Sequence, residues 1–489
     1  MKIILKLTYL LVLLLATSCS NNVETPLISN ALPPIFPDYI GVTIPAEIAP
    51  MNFDIAQGVD YQRVDVVIKG GKRGELHINA KHVNFPLKQW RKLLQENLGD
   101  SLQFTVSIKQ GDDWKQYQPF SMYISPYAID YGIVYRKIAP GYELYNKMGI
   151  YERNLSTFEE KALLENTLLP NMCVNCHSFN QTNPTNLSLH IRGEKGGTLM
   201  RHNQQEEILD TKTPTTLSAC VYPYWHPSGK YIAYSTNLTA QSFHAASNKR
   251  IEVFDSESDV LAYHPETHQL ITSPLLQKKE AFETFPAFSP DGKTLYFCSS
   301  KSQNVPEDFQ AIKYSLCSIP FLEEEGSFGT RIDTLISVEN TDKSIAFPRP
   351  SYDGKYLMYT QSDYGTFPIW HKEADLWLMN LTDGTTRPII EVNSNDTESF
   401  HNWSSNSHWF LFSSRRDDGL YTRIYLASID DEGRISKPFL LPQKHPWEYY
   451  DELLYSYNVP DFVNQPINLH PQKLEREVMS GKRTNVTIQ

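Results

Sequence analysis

Along most of this chain apolar and polar residues alternate with the period of strands, and stretches with helical spacing are few. Between residues 46 and 130 the alternation runs through Asp65-Val66-Val67-Ile68-Lys69, Glu75-Leu76-His77-Ile78-Asn79 and Leu102-Gln103-Phe104-Thr105-Val106-Ser107-Ile108. One amphipathic stretch there, Leu87 to Leu98, has helical spacing. These elements predict a small β-sandwich-like domain with one helix. A second helix is predicted over Thr157 to Leu169.

Further along, the alternation is organised into a repeat. Tyr222-Pro-Tyr-Trp-His-Pro-Ser-Gly-Lys-Tyr-Ile-Ala-Tyr-Ser235 is echoed by Phe285 to Ser299, by Phe347 to Thr360 and, more loosely, by His401 to Ser413. The turn glycines Gly229, Gly292 and Gly354 recur 63 and 62 residues apart, and Ser407 follows 53 residues later. Each unit opens on an aromatic–Pro pair. It turns at Pro-Ser-Gly or Pro-Asp-Gly, where glycine adopts positive φ, and continues in an apolar strand. Further strand-like runs follow: Ile251–Phe254, Tyr314–Cys317, Leu376–Met379 and Arg423–Ala427. A sheet of this kind leaves both faces uncovered, and a closed ring of such sheets buries the faces and protects the edges.

The fold class read from these patterns is all-β: a β-propeller of about six blades, preceded by the sandwich-like domain and a short, partly helical segment. The boundaries are 1–18 for a signal peptide, 19–45 for a Pro- and Asn-rich tether, and 46–130 for the sandwich-like domain. Residues 131–205 form a connecting segment, 206–465 the propeller and 466–489 a C-terminal tail. Four repeats are explicit. The remaining blades are expected from the segment near Tyr135 to Asn154 and from residues after Phe439.

Composition narrows the class. Tyr 28, Phe 23, Trp 8 and Pro 31 favour strands and turns. The net charge of −11 without a basic cluster argues against nucleic acid as a partner. Lys2 and Lys6 flank a short apolar run that ends in Leu15-Ala16-Thr17-Ser18-Cys19. This predicts export and diacylation of Cys19, although Ala16 stands where a lipobox usually has Leu. The lipid would hold the chain at the outer membrane, facing the periplasm or the cell surface, where a protein partner or a glycan is expected.

Cys173-Val-Asn-Cys-His177 is the sharpest chemical signal. Two cysteines at this spacing can form thioethers with haem vinyl groups, and the next histidine can bind the iron. The reading is therefore haem c on Cys173 and Cys176, with His177 proximal and Met200, His190 or His202 as the sixth ligand. A plain disulfide, half of a zinc site or a relic would leave the same letters. Cys298 and Cys317 lie about one hairpin apart, with a structural disulfide or buried free thiols as the alternatives. No Gly-x-Ser-x-Gly elbow, P-loop or dinucleotide fingerprint occurs, and no catalytic residue is assigned. The loop Ser413-Ser-Arg-Arg-Asp-Asp-Gly419 reads as a salt-bridged turn or as a site for an anion or a partner, the acidic run Glu323 to Glu325 as a solvated loop.

With these motifs in view, the Pro-Asp-Gly-Lys repeats resemble the propeller of TolB-like periplasmic proteins, over about residues 130 to 465. Pro140-Gly-Tyr-Glu143, Met148-Gly-Ile-Tyr151, the CxxCH motif and the Ser413 to Gly419 loop are similar to exported TolB-like proteins of Bacteroides-type bacteria that carry a cytochrome-type motif before the propeller. The resemblance implies a periplasmic electron-transfer or redox-sensing lipoprotein with a partner-binding propeller. The alternative is a haem-free scaffold for protein–protein or glycan interaction. Haem enzyme chemistry such as peroxidase activity lacks assignable distal residues.

Overall fold

The computed structural model describes residues 23–140, 147–243 and 251–489. The signal peptide and Cys19 therefore lie outside the described residues. No helix among the described residues is long and apolar enough to cross a membrane.

The N-terminal unit is built on a mixed seven-stranded sheet. Its centre is Ser101–Gln110, which pairs along its length with Arg63–Gly70 and on its other side with Asp113–Gln116 and Phe120–Ile124. The strands expected near Asp65, Glu75 and Leu102 are present, and the expected helix is Leu87–Glu96. The other sheet of this unit among the described residues is a two-stranded pair, Ile35–Phe36 with Asp54–Ile55, so the sandwich is corrected to one large sheet with a helix. Trp90, Leu93 and Leu94 of that helix are buried, with Trp90 stacked on Phe85 at 5.4 Å, and they fill the place of the second layer. The described part of the predicted tether is also structured. Leu27–Ile28, Ile35–Phe36 and Thr43–Ile44 each pair with a strand of this unit.

Six four- or five-stranded blades follow, antiparallel in their first four strands, beginning at Gly132 rather than at residue 206. Blade 1 combines Gly132–Ile138, Gly149–Asn154 and Glu160–Glu165 with Ser456–Val463 from the far end of the propeller. That last strand is its innermost one and closes the ring. Blade 2 is Cys173–Asn180, Asn183–Arg192, Gly197–His202 and Gln205–Asp210. Blades 3 to 6 open on Val221–Trp225, Ala281–Phe288, Ser344–Pro350 and Glu398–Trp403, the four explicit repeats.

Three sequence expectations are corrected here. Residues 131–205 are blade structure, not a connector. The predicted helix from Thr157 to Leu169 is the outer strand of blade 1 followed by a short 3-10 turn at Asn166–Leu168. Its helix-forming composition yields to burial of Leu163 and Leu164 in the core between blades 1 and 2. The tail 466–489 is a strap. Helix Pro471–Met479 buries Leu474 and Val478. Thr484–Asn485 and Thr487–Ile488 then add parallel edge strands to blades 2 and 3.

The blades interlock through their repeated residues. Trp225 donates its indole N–H to the Ser178 carbonyl of the preceding blade at 3.3 Å, and Trp403 to that of Arg349 at 2.9 Å. His226 Nε2 lies 3.0 Å from the Gly292 carbonyl in the next blade's turn. A Cβ on Gly292 would fall 2.2 Å from that ring, at a φ of +74°, whereas one on Gly354 at the same φ meets nothing within 4 Å. Gly292→Ala should therefore cost about 1–3 kcal/mol more stability than Gly354→Ala, measured by denaturant unfolding. Equal costs would contradict this interlock.

The N-terminal unit docks on blade 6 at its strand-1-to-2 turn end. Ser405 donates to Asp130 from both its amide and its hydroxyl, each at 2.7 Å. Tyr39 donates to the Leu440 carbonyl at 3.1 Å. One hydrophobic cluster runs from Val66 and Phe104 through Trp403 and Trp409. The opposite face of the ring is left to the site described next.

Two buried carboxyls set an alkaline limit on stability. Burial, with Asp259 adding to it, pushes Glu283 up to about 8. Burial also pushes Asp461 up to about 7, against the pull of Arg349. The folded chain keeps these protons after the unfolded chain has released them. Stability therefore falls as pH rises toward 8, by about 1.4 kcal/mol per pH unit for each group still protonated. The melting temperature should drop between pH 6.5 and 8, and Glu283→Gln should remove about two-thirds of the drop. A flat profile would contradict this assignment.

Candidate functional site at the propeller mouth

The innermost strand of every blade carries a β-bulge. In blades 2 to 6 the bulged residue has positive φ: Cys176, Tyr222, Phe285, Phe347 and Phe400, with Val459 of the closing strand at the same place in blade 1. The bulge turns these side chains toward the ring axis. Neighbouring aromatics then meet in sequence: Tyr222–Phe285 at 4.7 Å, Phe285–Phe347 at 4.5 Å and Phe347–Phe400 at 4.9 Å. Phe367, from the loop between the second and third strands of blade 5, lies 5.7–6.2 Å from all four rings. It plugs the axis.

One layer further along the axis the filling is polar. Asn402 donates to Asp461 at 2.8 Å, and the Arg349 guanidinium lies over the Tyr224 ring at 5.3 Å. The axis is thus blocked, and what opens on the Phe367 side is a blind cavity.

This frame reinterprets the CxxCH motif. Cys176-His177 occupies the position of Tyr222-Pro223, Phe285-Pro286, Phe347-Pro348, Phe400-His401 and Val459-Pro460. The motif is the aromatic–Pro opening of blade 2 with both residues changed. Strand pairing then fixes the side-chain directions. Cys173 pairs with Arg192, Asn175 with His190, and His177 with Leu189. Cross-strand partners share a face, and Leu189 and Arg192 lie on opposite faces of the blade. Cys173 and His177 therefore point to opposite sides.

His177 is only 4 % exposed and lies in the wall against blade 1. Burial, with the Arg136 charge adding to it, holds its ring down to about 4, so it is neutral near pH 7. Neither ring nitrogen makes a well-formed hydrogen bond, although the backbone of Val134 and Val459 lies nearby.

The three sixth-ligand candidates share the face opposite His177. His190 is hydrogen-bonded to Thr198 at 3.0 Å, and burial pushes it down to about 3. Met200 is buried in the core shared with blade 3, and His202 stacks on Trp225 at 6.1 Å. A haem held by both thiols would need Cys173, Cys176 and His177 to converge on one side of the strand. The folded strand does not fit that group, and no step is derived through it. Among the described residues no cluster of His, Cys, Asp and Glu has metal-binding geometry.

The five described cysteines are unbridged, so no Cys298–Cys317 disulfide is formed; both thiols are buried on neighbouring strands of blade 4. Cys176, Cys220, Cys298 and Cys317 are buried, and only Cys173 is partly accessible. It lines the blind cavity of about 520 Å³ together with Arg136, Asn175, Arg192, Tyr222, Gln241 and Phe367. A second cavity of about 600 Å³, lined by His190, Asp210, Lys212 and Arg483, adjoins it and shares Arg192, Gly193 and Thr239.

A long hairpin of blade 3, Ile232–Phe243 and Ile251–His264, forms one wall of this mouth. It is anchored two blades away. Tyr364 donates to Glu252 at 2.7 Å, and His371 Nε2 lies 3.1 Å from the same carboxyl. Asp255 of the hairpin accepts from Thr239 and Asn237 at 2.6 and 2.8 Å, and burial pushes it up to about 6.

The Ser413 to Gly419 loop is the salt-bridged turn: Arg416 meets the buried Glu398 at 2.9 Å, and Arg415 packs on Trp370 at 3.2 Å. The mouth residues Arg136, Gln241 and Phe367 were not singled out by sequence. Phe367 sits in a non-repeating loop and Arg136 in a blade whose repeat is unrecognisable. The one available signal for the bulge ring was the recurring aromatic at 222, 285, 347 and 400.

No protein-family model matches the chain, and no curated protein matches it. Among solved structures, a DUF4784 family protein from Bacteroides caccae aligns at 9% identity over 74% of this chain and 96% of its own, with a TM-score of 0.28. Dipeptidyl peptidase 4 of Porphyromonas gingivalis aligns at 9% identity over 62% of this chain and 50% of its own, with a TM-score of 0.26. A Trypanosoma rangeli sialidase in complex with the inhibitor DANA aligns at 9% identity over 65% and 49%, with a TM-score of 0.24.

Proposed function

We propose that this chain is an exported, lipid-anchored binding protein that takes its ligand or a partner's side group in the mouth of the propeller. Export and the lipid on Cys19 rest on the leader sequence. Binding at the mouth is supported chiefly by one observation: the axis is plugged by Phe367, leaving a blind, polar-and-aromatic cavity of about 520 Å³ beside a second one. Concave sites with an apolar floor and a few convergent polar groups are the usual form of ligand pockets. The anchored hairpin gives this one a preformed wall. The N-terminal unit stays clear of it, at the other end of blade 6.

Cys173 reports on occupancy. In the purified chain N-ethylmaleimide should modify Cys173 within minutes, while the four buried cysteines react only after unfolding, read by peptide mass spectrometry. Adding a periplasmic extract, passed through a small-pore filter or not, should slow Cys173 labelling by about tenfold or more through the occupant. Labelling at the same rate with and without extract would contradict the binding reading.

A further inference from the structure

Arg136 is 8 % exposed, and its Nε lies buried without a hydrogen-bond partner. Its guanidinium lines the mouth cavity together with that of Arg192, and the two are close enough to repel each other. Among the described residues neither forms an ion pair that would neutralise it. The nearest carboxyl on that side, Asp255, is directed to Thr239 and Asn237 and lies beyond ion-pair distance of Arg192.

A buried cation with no counter-charge among the described residues is expensive to keep, and the guanidinium of the more exposed Arg192 beside Arg136 adds repulsion. The arrangement becomes favourable when an anion enters between them. A guanidinium presents its N–H groups as a planar fork that matches the paired oxygens of a carboxylate or phosphate. Asn175 and Gln241 add uncharged donors at the same cavity, and Tyr222 and Phe367 supply an aromatic floor. The chain as a whole is strongly acidic, at −11, so this concentration of positive charge is local.

We propose that Arg136 and Arg192 form an oxyanion site, which takes the carboxylate or phosphate group of a ligand whose flat or apolar body rests on Tyr222 and Phe367. The proposal rests on the mouth being the ligand site and names the chemistry that it selects.

Cys173, in the same cavity, provides the probe. The full-length chain is treated with an anionic and, separately, a cationic methanethiosulfonate of equal size, and the Cys173 peptide is quantified by mass spectrometry. Each reagent forms a mixed disulfide with the thiol and releases methanesulfinate. After normalisation to a free cysteine peptide, the anionic reagent should react about tenfold faster. Arg136→Gln should remove most of that preference while leaving the melting temperature unchanged or raised, because a buried unpaired charge is lost. Inorganic phosphate or acetate at millimolar concentration should slow the anionic reagent, and which of the two acts more strongly separates a phosphoryl from a carboxyl ligand.

Equal rates for the two reagents would overturn the oxyanion site while leaving the cavity in place. An unchanged preference in Arg136→Gln would do the same for Arg136. Failure of both reagents to reach Cys173 would instead refute the open mouth on which the proposed function rests.

Discussion

A chain ended at Tyr455 should lose cooperative unfolding altogether, whereas one ended at His470 should still melt as a propeller. The difference is Ser456–Val463, the innermost strand of blade 1. Tyr457, Phe462 and Val463 on it are fully buried, and Asp461 reaches Asn402 in the channel. At about 1.5–3 kcal/mol for each large apolar side chain, burial of these three alone approaches the whole stability of an ordinary domain, about 5–15 kcal/mol. Their loss also exposes the Gly132–Ile138 edge and the inner faces of blades 1 and 6, so the shortened chain should aggregate. Ending the chain at His470 removes only the strap, with Leu474, Val478 and two short edge pairs. Calorimetry distinguishes them: one endotherm at reduced temperature for the chain ended at His470, none for the other. A cooperative endotherm for the chain ended at Tyr455 would show that the ring closes differently.

The second large effect concerns His177. In this structure it is a wall residue, neutral and poorly hydrogen-bonded. His177→Asp places an isolated charge in that wall and should cost about 3–5 kcal/mol, a shift of roughly 10 °C or more in melting temperature. His177→Leu removes a buried polar ring of similar size and should leave stability unchanged or raise it. A proximal haem ligand behaves otherwise: both substitutions would remove the same iron bond and lower stability together. Thermal melts of the two variants against the parent separate these cases, and a large loss in His177→Leu would contradict the wall assignment.

What the sequence disclosed and what it hid follow from the same physics. Blades 3 to 6 were legible because Pro-Asp-Gly turns and an aromatic wedge repeat at nearly constant spacing. Blade 1 is split between residues 132–165 and 456–463, so no local pattern reveals it beyond a need for more strands. Blade 2 was concealed by its own motif. Its turn is Gln181-Thr182 at positive φ instead of Pro-Asp-Gly, and its bulge aromatic is a cysteine. The letters Cys-x-x-Cys-His then invite a chemical reading, because sequence spacing does not reveal that residues 173 and 177 face opposite ways on a bulged strand.

The same limitation explains the mistaken helix over 157–169. Lys161, Ala162, Leu163 and Leu164 favour a helix in isolation, but pairing with Gly149–Asn154 and burial between two blades favour a strand. The mouth was invisible for a further reason. Arg136, Arg192, Gln241 and Phe367 come from four different blades, and only ring closure brings them together. Sequence pointed to Cys173, which does line the cavity, but for a chemistry that its strand does not support.

The account turns on whether Cys173-Val-Asn-Cys-His177 is blade structure or a haem attachment site. The direct measurement is a denaturing gel stained for haem peroxidase activity, run on the chain exported into a periplasm with active c-type maturation. The account predicts a folded protein with no stained band and with Cys173 free to react with a maleimide. A stained band at the mass of the chain, lost in Cys173→Ala/Cys176→Ala, would contradict it and restore these residues to a cytochrome.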